Sequence, residues 1–254
     1  MLNLTRSSEG ADPLLKPQRE SLADKIADLI AKAISTRHIE PGSRIVETAL
    51  AERLGVSRVP IREALKVLHA QGILTGGGHR GYYVATYGPV VTQEITETRL
   101  MLERFLLRDA IENWRSGAAD VERLEEPLRD MRRAAKTDDI AASLVADLEF
   151  HRVIREASGN AIVGTLWDAL SRHVMIVFNF ERYRDTDLKA STKQHEEFRD
   201  FIVEQIARPT TPEALGAALE NHILWVARLK PAKNGADDAT PAAPKKRARR
   251  AAAS

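Results

Sequence analysis

Apolar residues recur at helical spacing along most of the chain, and the breaks in that rhythm mark its elements. Leu22, Ile26, Leu29, Ile30 and Ala33 predict an amphipathic first helix, with Pro41-Gly42 ending the connection after it. Leu50, Ala51 and Leu54 form a short second stripe. Gly55 follows, where a left-handed helix end costs a glycine little. Ser57 is a good N-cap for a third helix, and Pro60 falls in its first turn, where no intrahelical hydrogen bond is lost. The chain thus stops, turns and restarts within about four residues. Gly72-Ile-Leu-Thr then opens a strand, Gly76 to Gly81 make a tip, and Tyr82-Tyr-Val-Ala-Thr returns as its partner, a β-hairpin wing. From Val90 to Leu229 the pattern is helical throughout. The expected helices span roughly 90–116, 120–136, 138–158, 161–185, 191–207 and 212–229. Ser158-Gly-Asn160 is a clear break, Ser191 with Gln194 fits a capping box, and Thr211-Pro212 reads as an N-cap followed by proline at the first helical position. The fold class is mainly α, a winged helix-turn-helix followed by an antiparallel helical bundle.

The third helix carries two different faces. Ile61, Ala64, Leu65 and Leu68 fall on one stripe and Arg58, Arg62, Lys66 and His69 on the neighbouring one. The first stripe packs inward and leaves the second free for a polyanion. Arginine at the start of such a helix can pair bidentately with guanine, and Ser57 with the helix N-terminus suits a phosphate oxygen. His79, Arg80 and Gly81 in the wing tip bring basic groups to a groove on a glycine-rich turn. A basic stripe alone is usually a solvated face. Here helix, turn, basic stripe and basic wing come in the order that duplex DNA recognition requires.

Composition adds limits. The chain has 254 residues and 43% hydrophobic content, enough for two cores. The expected organisation is a flexible start (1–20), a DNA-binding unit (21–87), an all-helical effector and dimerisation unit (90–230) and a disordered basic tail (231–254). No apolar run is long enough to span a membrane and no signal-peptide core is evident, so the expected location is the cytoplasm. With no cysteine, disulfides, thiolate metal ligands and cysteine nucleophiles are excluded. Net charge is +2, yet Lys245, Lys246, Arg247, Arg249 and Arg250 contribute five positive charges and leave −3 on the remainder. The overall pI therefore says nothing about DNA, although the tail itself could hold phosphates non-specifically.

Polar residues inside the bundle are the other candidates. Asp147 and His151 are four apart and share a helix face flanked by Leu144, Leu148 and Ile154. His195 and His222 fall on two later helices. One carboxylate and three imidazoles on three helices can converge on a divalent metal that accepts nitrogen and oxygen, zinc first, then manganese or nickel. By spacing alone, a histidine on an apolar face is more often a satisfied core residue. A metalloenzyme is disfavoured: the chain has no Glu-x-x-His, His-Glu-x-x-His, phosphate loop or dinucleotide fingerprint. Glu149 and Glu196, the nearest general-base candidates, are out of helical phase with the ligands.

Two stretches resemble a known family. LAERLGVSRVPIREALKVLHAQGIL with the wing HRGYYV resembles the winged helix-turn-helix of the GntR family of bacterial transcription regulators. ETRLMLE at 97–103, DLEFHRVIREASGN at 147–160, QHEEF at 194–198 and NHILW at 221–225 resemble the FCD effector domain of its FadR-type branch. The resemblance implies operator contacts from Arg58, Arg62, His79, Arg80 and Gly81, a metal held by Asp147, His151, His195 and His222, and an effector-facing Arg99. It also implies a homodimer on double-stranded operator DNA and a small organic acid as effector, with repression by default. A metal-responsive regulator, the ion itself being the signal, would use the same ligands. Some members carry a further DNA-contacting arginine where this chain has Thr48, so its operator is expected to differ from theirs. Arg172 and His173 are weaker pocket candidates, and Met175, Val177 and Phe178 are expected in the core.

Overall fold

The computed structural model describes residues 21–77, 81–181, 187–208 and 211–229, without the side chains of 178–181 and 225–229. The expected flexible start, the basic tail, His79 and Arg80, the Phe178 side chain and the end of the helix expected to reach residue 185 lie outside the described residues.

The N-terminal part runs α1 (Leu22–Ser35), β1 (Arg44–Ile45), α2 (Glu47–Leu54), α3 (Arg58–Ala70), β2 (Leu74–Gly76) and β3 (Tyr82–Val84). Ser21 caps α1 by accepting from the Asp24 backbone N–H at 3.1 Å. Gly55 closes α2 in the left-handed conformation (φ 66°), so the turn forms as its glycine predicts. The inward stripe of α3 is the expected one: Ile61, Ala64, Leu65 and Leu68 are all fully buried. Burial of each of the three larger side chains is worth about 1.5–3 kcal/mol. The wing is part of a three-stranded antiparallel sheet in the order β1-β3-β2. Strand β1 was not foreseen, since two residues are too few for an alternating pattern. Gly76 is obligatory in the wing: its φ is +85°, and a Cβ there would stand 2.6 Å from the Gly81 carbonyl oxygen.

The C-terminal part is helical: α4 (Pro89–Arg115), a 3₁₀ turn (Val121–Leu124), α5 (Glu125–Thr137), α6 (Ile140–Ala157), α7 (Ala161–Glu181), α8 (Leu188–Ala207) and α9 (Pro212–Leu229). Thr211 caps α9 as its sequence suggests, accepting from the Ala214 N–H at 3.3 Å. The capping box expected at Ser191 is corrected. Helix α8 starts earlier, where the Asp187 carboxylate accepts from the Lys189 and Ala190 N–H groups, and Ser191 lies buried inside the helix. Phe150, Phe198, Ile202, Leu219 and Ile223 sit in one apolar core with residues of α4 and α5.

A second core joins the two parts. Ile26, Ile30 and Ile34 of α1 belong to the same buried cluster as Leu65 and Leu68 of α3 and Val174 and Ile176 of α7. Across this joint, Arg172 donates from Nε to Asp28 at 2.7 Å and from Nη1 to the Gln71 side chain at 3.2 Å. His173 Nε2 donates to the Gln71 carbonyl at 2.7 Å, leaving Nδ1 to accept from the Tyr87 hydroxyl at 3.2 Å. Adjacent on a helix, Arg172 and His173 thus tie α7 to α1 and to the end of α3. Met175 and Val177 are core, as expected.

Candidate metal centre and DNA-reading face

Helices α6, α8 and α9 bring Asp147, His151, His195 and His222 together in the bundle interior, all buried. The spacing that put Asp147 and His151 on one face is decisive here, because that face points at α8 and α9. His195 Nε2 lies 2.8 Å from Asp147 Oδ1, and His222 Nε2 lies 3.2 Å from His151 Nε2. One ligand atom from each of the three imidazoles falls within 4.8 Å of the other two.

Each imidazole is oriented through its other nitrogen. His195 Nδ1 donates to the Ser191 carbonyl at 2.9 Å. His151 Nδ1 faces the Glu103 carboxylate at 2.8 Å. His222 Nδ1 accepts from the Gln194 side-chain amide Nε2 at 2.5 Å. All three rings turn Nε2 toward the centre of the cluster, and His151 and His195, whose Nδ1 atoms face an acceptor, are in the tautomer that leaves Nε2 free for a metal. Three atoms of the cluster, Asp147 Oδ2, His195 Nε2 and His151 Nδ1, are buried without a well-aligned hydrogen-bond partner, although His151 Nδ1 stays within 2.8 Å of the Glu103 carboxylate. A buried polar atom of that kind is costly unless something else satisfies it, and the nitrogen-oxygen donor set fits a divalent ion.

Electrostatics favour the metal-binding protonation states. Burial, then the nearby His195, His151 and Arg99 charges, hold His222 well below the ordinary histidine pKa, so its ring stays neutral. Burial also lowers His151, against the pull of Glu103. For Asp147, burial would raise the pKa, but the hydrogen bond and charge of His195 dominate together with His151 and Arg99, and the group stays ionised.

Glu103 is the residue that sequence reading missed. It is buried, accepts from Arg99 Nε at 2.8 Å and from Trp167 Nε1 at 2.9 Å, and backs His151. Burial alone would raise its pKa; Arg99, His151 and the hydrogen bonds from His151 and Trp167 bring it down to about 2. Arg99 and Glu103 do form the i,i+4 pair that their spacing allows, but inside the bundle beside the histidines, not on the surface. The only signal was that spacing, which suits an exposed pair equally well. Glu149 and Glu196 point elsewhere: Glu196 accepts from Arg132 at 2.6 Å and Glu149 lies 3.6 Å from Arg152.

The second face is on α3. Arg58, Arg62 and Lys66 project outward with more than half of each side chain exposed. Glu47 at the start of α2 accepts from Arg62 Nε at 2.8 Å and lies 3.7 Å from Arg58 Nη2. It holds both arginines over the same side of the motif. His69, at the far end of the stripe, packs on the Tyr82 ring of the wing. Ser57 is the N-cap of α3 but makes no capping hydrogen bond, so its hydroxyl is left for another acceptor or donor. Gly81 takes φ +76°, and a Cβ there would come within 3.1 Å of the Arg44 guanidinium.

Comparison with known proteins agrees with both halves. Residues 22–84 match the gntR family of bacterial regulatory proteins and residues 94–224 match the FCD domain. The chain belongs to the GntR family, FCD type. It is 27% identical over 221 residues to the probable D-xylose utilization operon transcriptional repressor of Paenarthrobacter nicotinovorans, covering 87% of this chain and 94% of that protein. It is likewise 27% identical over 148 residues to the HTH-type transcriptional regulator McbR of Escherichia coli, covering 58% and 66%. The solved structure of E. coli McbR/YncC superposes with a TM-score of 0.69 at 21% identity, covering 82% of this chain and 96% of that one, and so shares the fold. These relatives are regulators and not enzymes, as the missing catalytic motifs implied. Among the described residues no helix is long and apolar enough to cross a membrane.

Proposed function

We propose that this GntR-family regulator is a cytoplasmic repressor that binds double-stranded operator DNA as a homodimer. A small organic acid, bound at a metal in the helical bundle, modulates its operator affinity. The observation that carries the reading is the shared orientation of His151, His195 and His222: each Nδ1 is engaged by the protein and each Nε2 faces Asp147 or another ligand. Asp147, His151, His195 and His222 would hold the ion, zinc first, with manganese or nickel as the alternatives. When bound, it would offer open coordination positions to a carboxylate. Arg99, buried beside the cluster, supplies positive charge for the same anion. Because the four ligands are buried, an acid reaches them only if the helices part. That opening is a change of state which the ligand can favour, and only unequal affinity for two states can shift DNA binding.

Arg58, Arg62 and Lys66 would meet base edges and phosphates, with Ser57, Gly81 and the wing-tip residues His79 and Arg80 on the flanking backbone. The dimer is supported by an exposed apolar ridge on α4 and α7. Met101 and Phe105 lie one turn apart on α4, as do Ile162 and Leu166 on α7, and all four are exposed.

The test is an operator-binding titration against a panel of small carboxylic acids, before and after chelation. The reading expects one acid to change operator affinity at least tenfold, and the effect to vanish on chelation and in Arg99→Lys. If operator affinity follows metal occupancy with no acid present, the ion itself is the signal. If neither acid nor chelator moves operator affinity, the bundle is not the sensor.

A further inference from the structure

Leu29, expected in the core of α1, is 52% exposed, and its counterpart on α6, Val145, is 45% exposed. Both lie in one cleft of about 500 Å³ between α1 of the DNA-binding part and α6 and α7 of the bundle. Leu148 and Met175 complete its apolar floor. The size is that of a small-molecule site, and the place, between two packed parts, is where such sites concentrate.

The rim is basic. Lys25 and Lys32 lie seven residues apart on the same face of α1, and both line the cleft. Neither joins an ion pair among the described residues, whereas Arg152 is paired with Glu149 and Arg172 with Asp28. The unspent charge around the floor is therefore positive. An apolar floor under free ammonium groups selects an anion with an apolar body. A cation is repelled, and an inorganic anion leaves the floor wet.

We propose that the α1–α6–α7 cleft is a second ligand site, separate from the histidine cluster, for an organic carboxylate or sulfonate carried on an apolar body. Its apolar part covers Leu29, Val145, Leu148 and Met175, and its head group pairs with Lys25 or Lys32. Such a ligand touches both parts of the chain at once. It binds best to the arrangement in which α1 lies against α6 and α7, and so favours that arrangement. The Arg172 and His173 contacts hold the same arrangement.

The test uses 1-anilinonaphthalene-8-sulfonate, a sulfonate on an aromatic body whose fluorescence rises in apolar surroundings. It is titrated into the full chain, with decanoate as competitor. The site predicts saturable binding, displaced by decanoate and at least tenfold weaker in Lys25→Gln/Lys32→Gln. Val145→Trp, which fills the cleft from an exposed position, should abolish it. The unaltered chain should bind the probe equally before and after treatment with a chelator, so failure of the metal reading leaves this result untouched. Absence of saturable binding, or unchanged binding in Val145→Trp, overturns the site. Unchanged binding in the double lysine variant overturns its assignment to an anion. Loss of binding on chelation would place the probe in the bundle instead.

Discussion

At the scale of single residues, the candidate metal centre also depends on groups outside the four candidate ligands. Glu103 illustrates this. Its carboxylate fixes the His151 ring and is itself held by Arg99 and Trp167. Partners of this kind typically change metal affinity 10- to 100-fold. Glu103→Gln should weaken metal binding by about that factor while the chain stays folded, measured by competition with a chromophoric chelator. Helical spacing put Asp147 and His151 on one face, whereas grouping His195 and His222 with them rested on the family resemblance, because they lie on other helices. Glu103 was not legible, because its partner His151 across the bundle is far away in sequence. His173 gives a pH prediction. Burial lowers its pKa, and the Gln71 carbonyl opposes that only in part. The folded chain thus takes up this proton at lower pH than the unfolded chain, whose histidine titrates near 6.5. The resulting stability is complete above about pH 6.5 and is lost as the pH falls below it. The Tm should therefore drop on acidification, and less steeply in His173→Gln, in thermal melts followed by circular dichroism.

At the scale of elements, most of the fold was readable because helices announce themselves by period. The ends of α4, α6 and α9 fall within two residues of expectation, and the turn between α2 and α3 follows from Gly55 and Ser57. What failed was local. The start of α8 is set by Asp187, whose short side chain reaches two backbone N–H groups, and Ser191 had the right residue type at the wrong place. Strand β1 owes its existence to pairing with β3, a partner about forty residues on, and not to its own two residues. The α3 face permits a direct test. Arg58→Ala and Arg62→Ala should each cost about 1–3 kcal/mol of specific operator binding and flatten its salt dependence. Gel-shift titrations at two salt concentrations would measure this, with the bundle's metal content unchanged as the control. Unchanged operator affinity in both variants would remove α3 as the reading helix.

At the scale of the whole molecule, the chain is not two independent bodies on a string. The buried cluster shared by α1, α3 and α7, with the Arg172 and His173 contacts beside it, couples the end of α3 to the bundle. Helix α7 also carries Trp167, which bonds Glu103 behind the histidines, so one helix touches both the candidate sensor and the DNA-reading part. Sequence periodicity could show that α7 was helical but not which neighbours its polar residues meet. In the proposed dimer, the exposed apolar residues of α4 and α7 would face the second copy. Met101→Glu with Phe105→Glu should convert a dimer to monomers in analytical ultracentrifugation, and weaken operator binding by removing the paired half-site contact. Everything proposed for the bundle depends on whether the three histidines and Asp147 hold a metal. Elemental analysis of the purified chain beside His195→Ala tests it most directly. About one divalent ion per chain, largely lost in the variant, is the predicted result. No metal in the unaltered chain, or full occupancy in His195→Ala, would make the cluster a structural polar core and contradict the account.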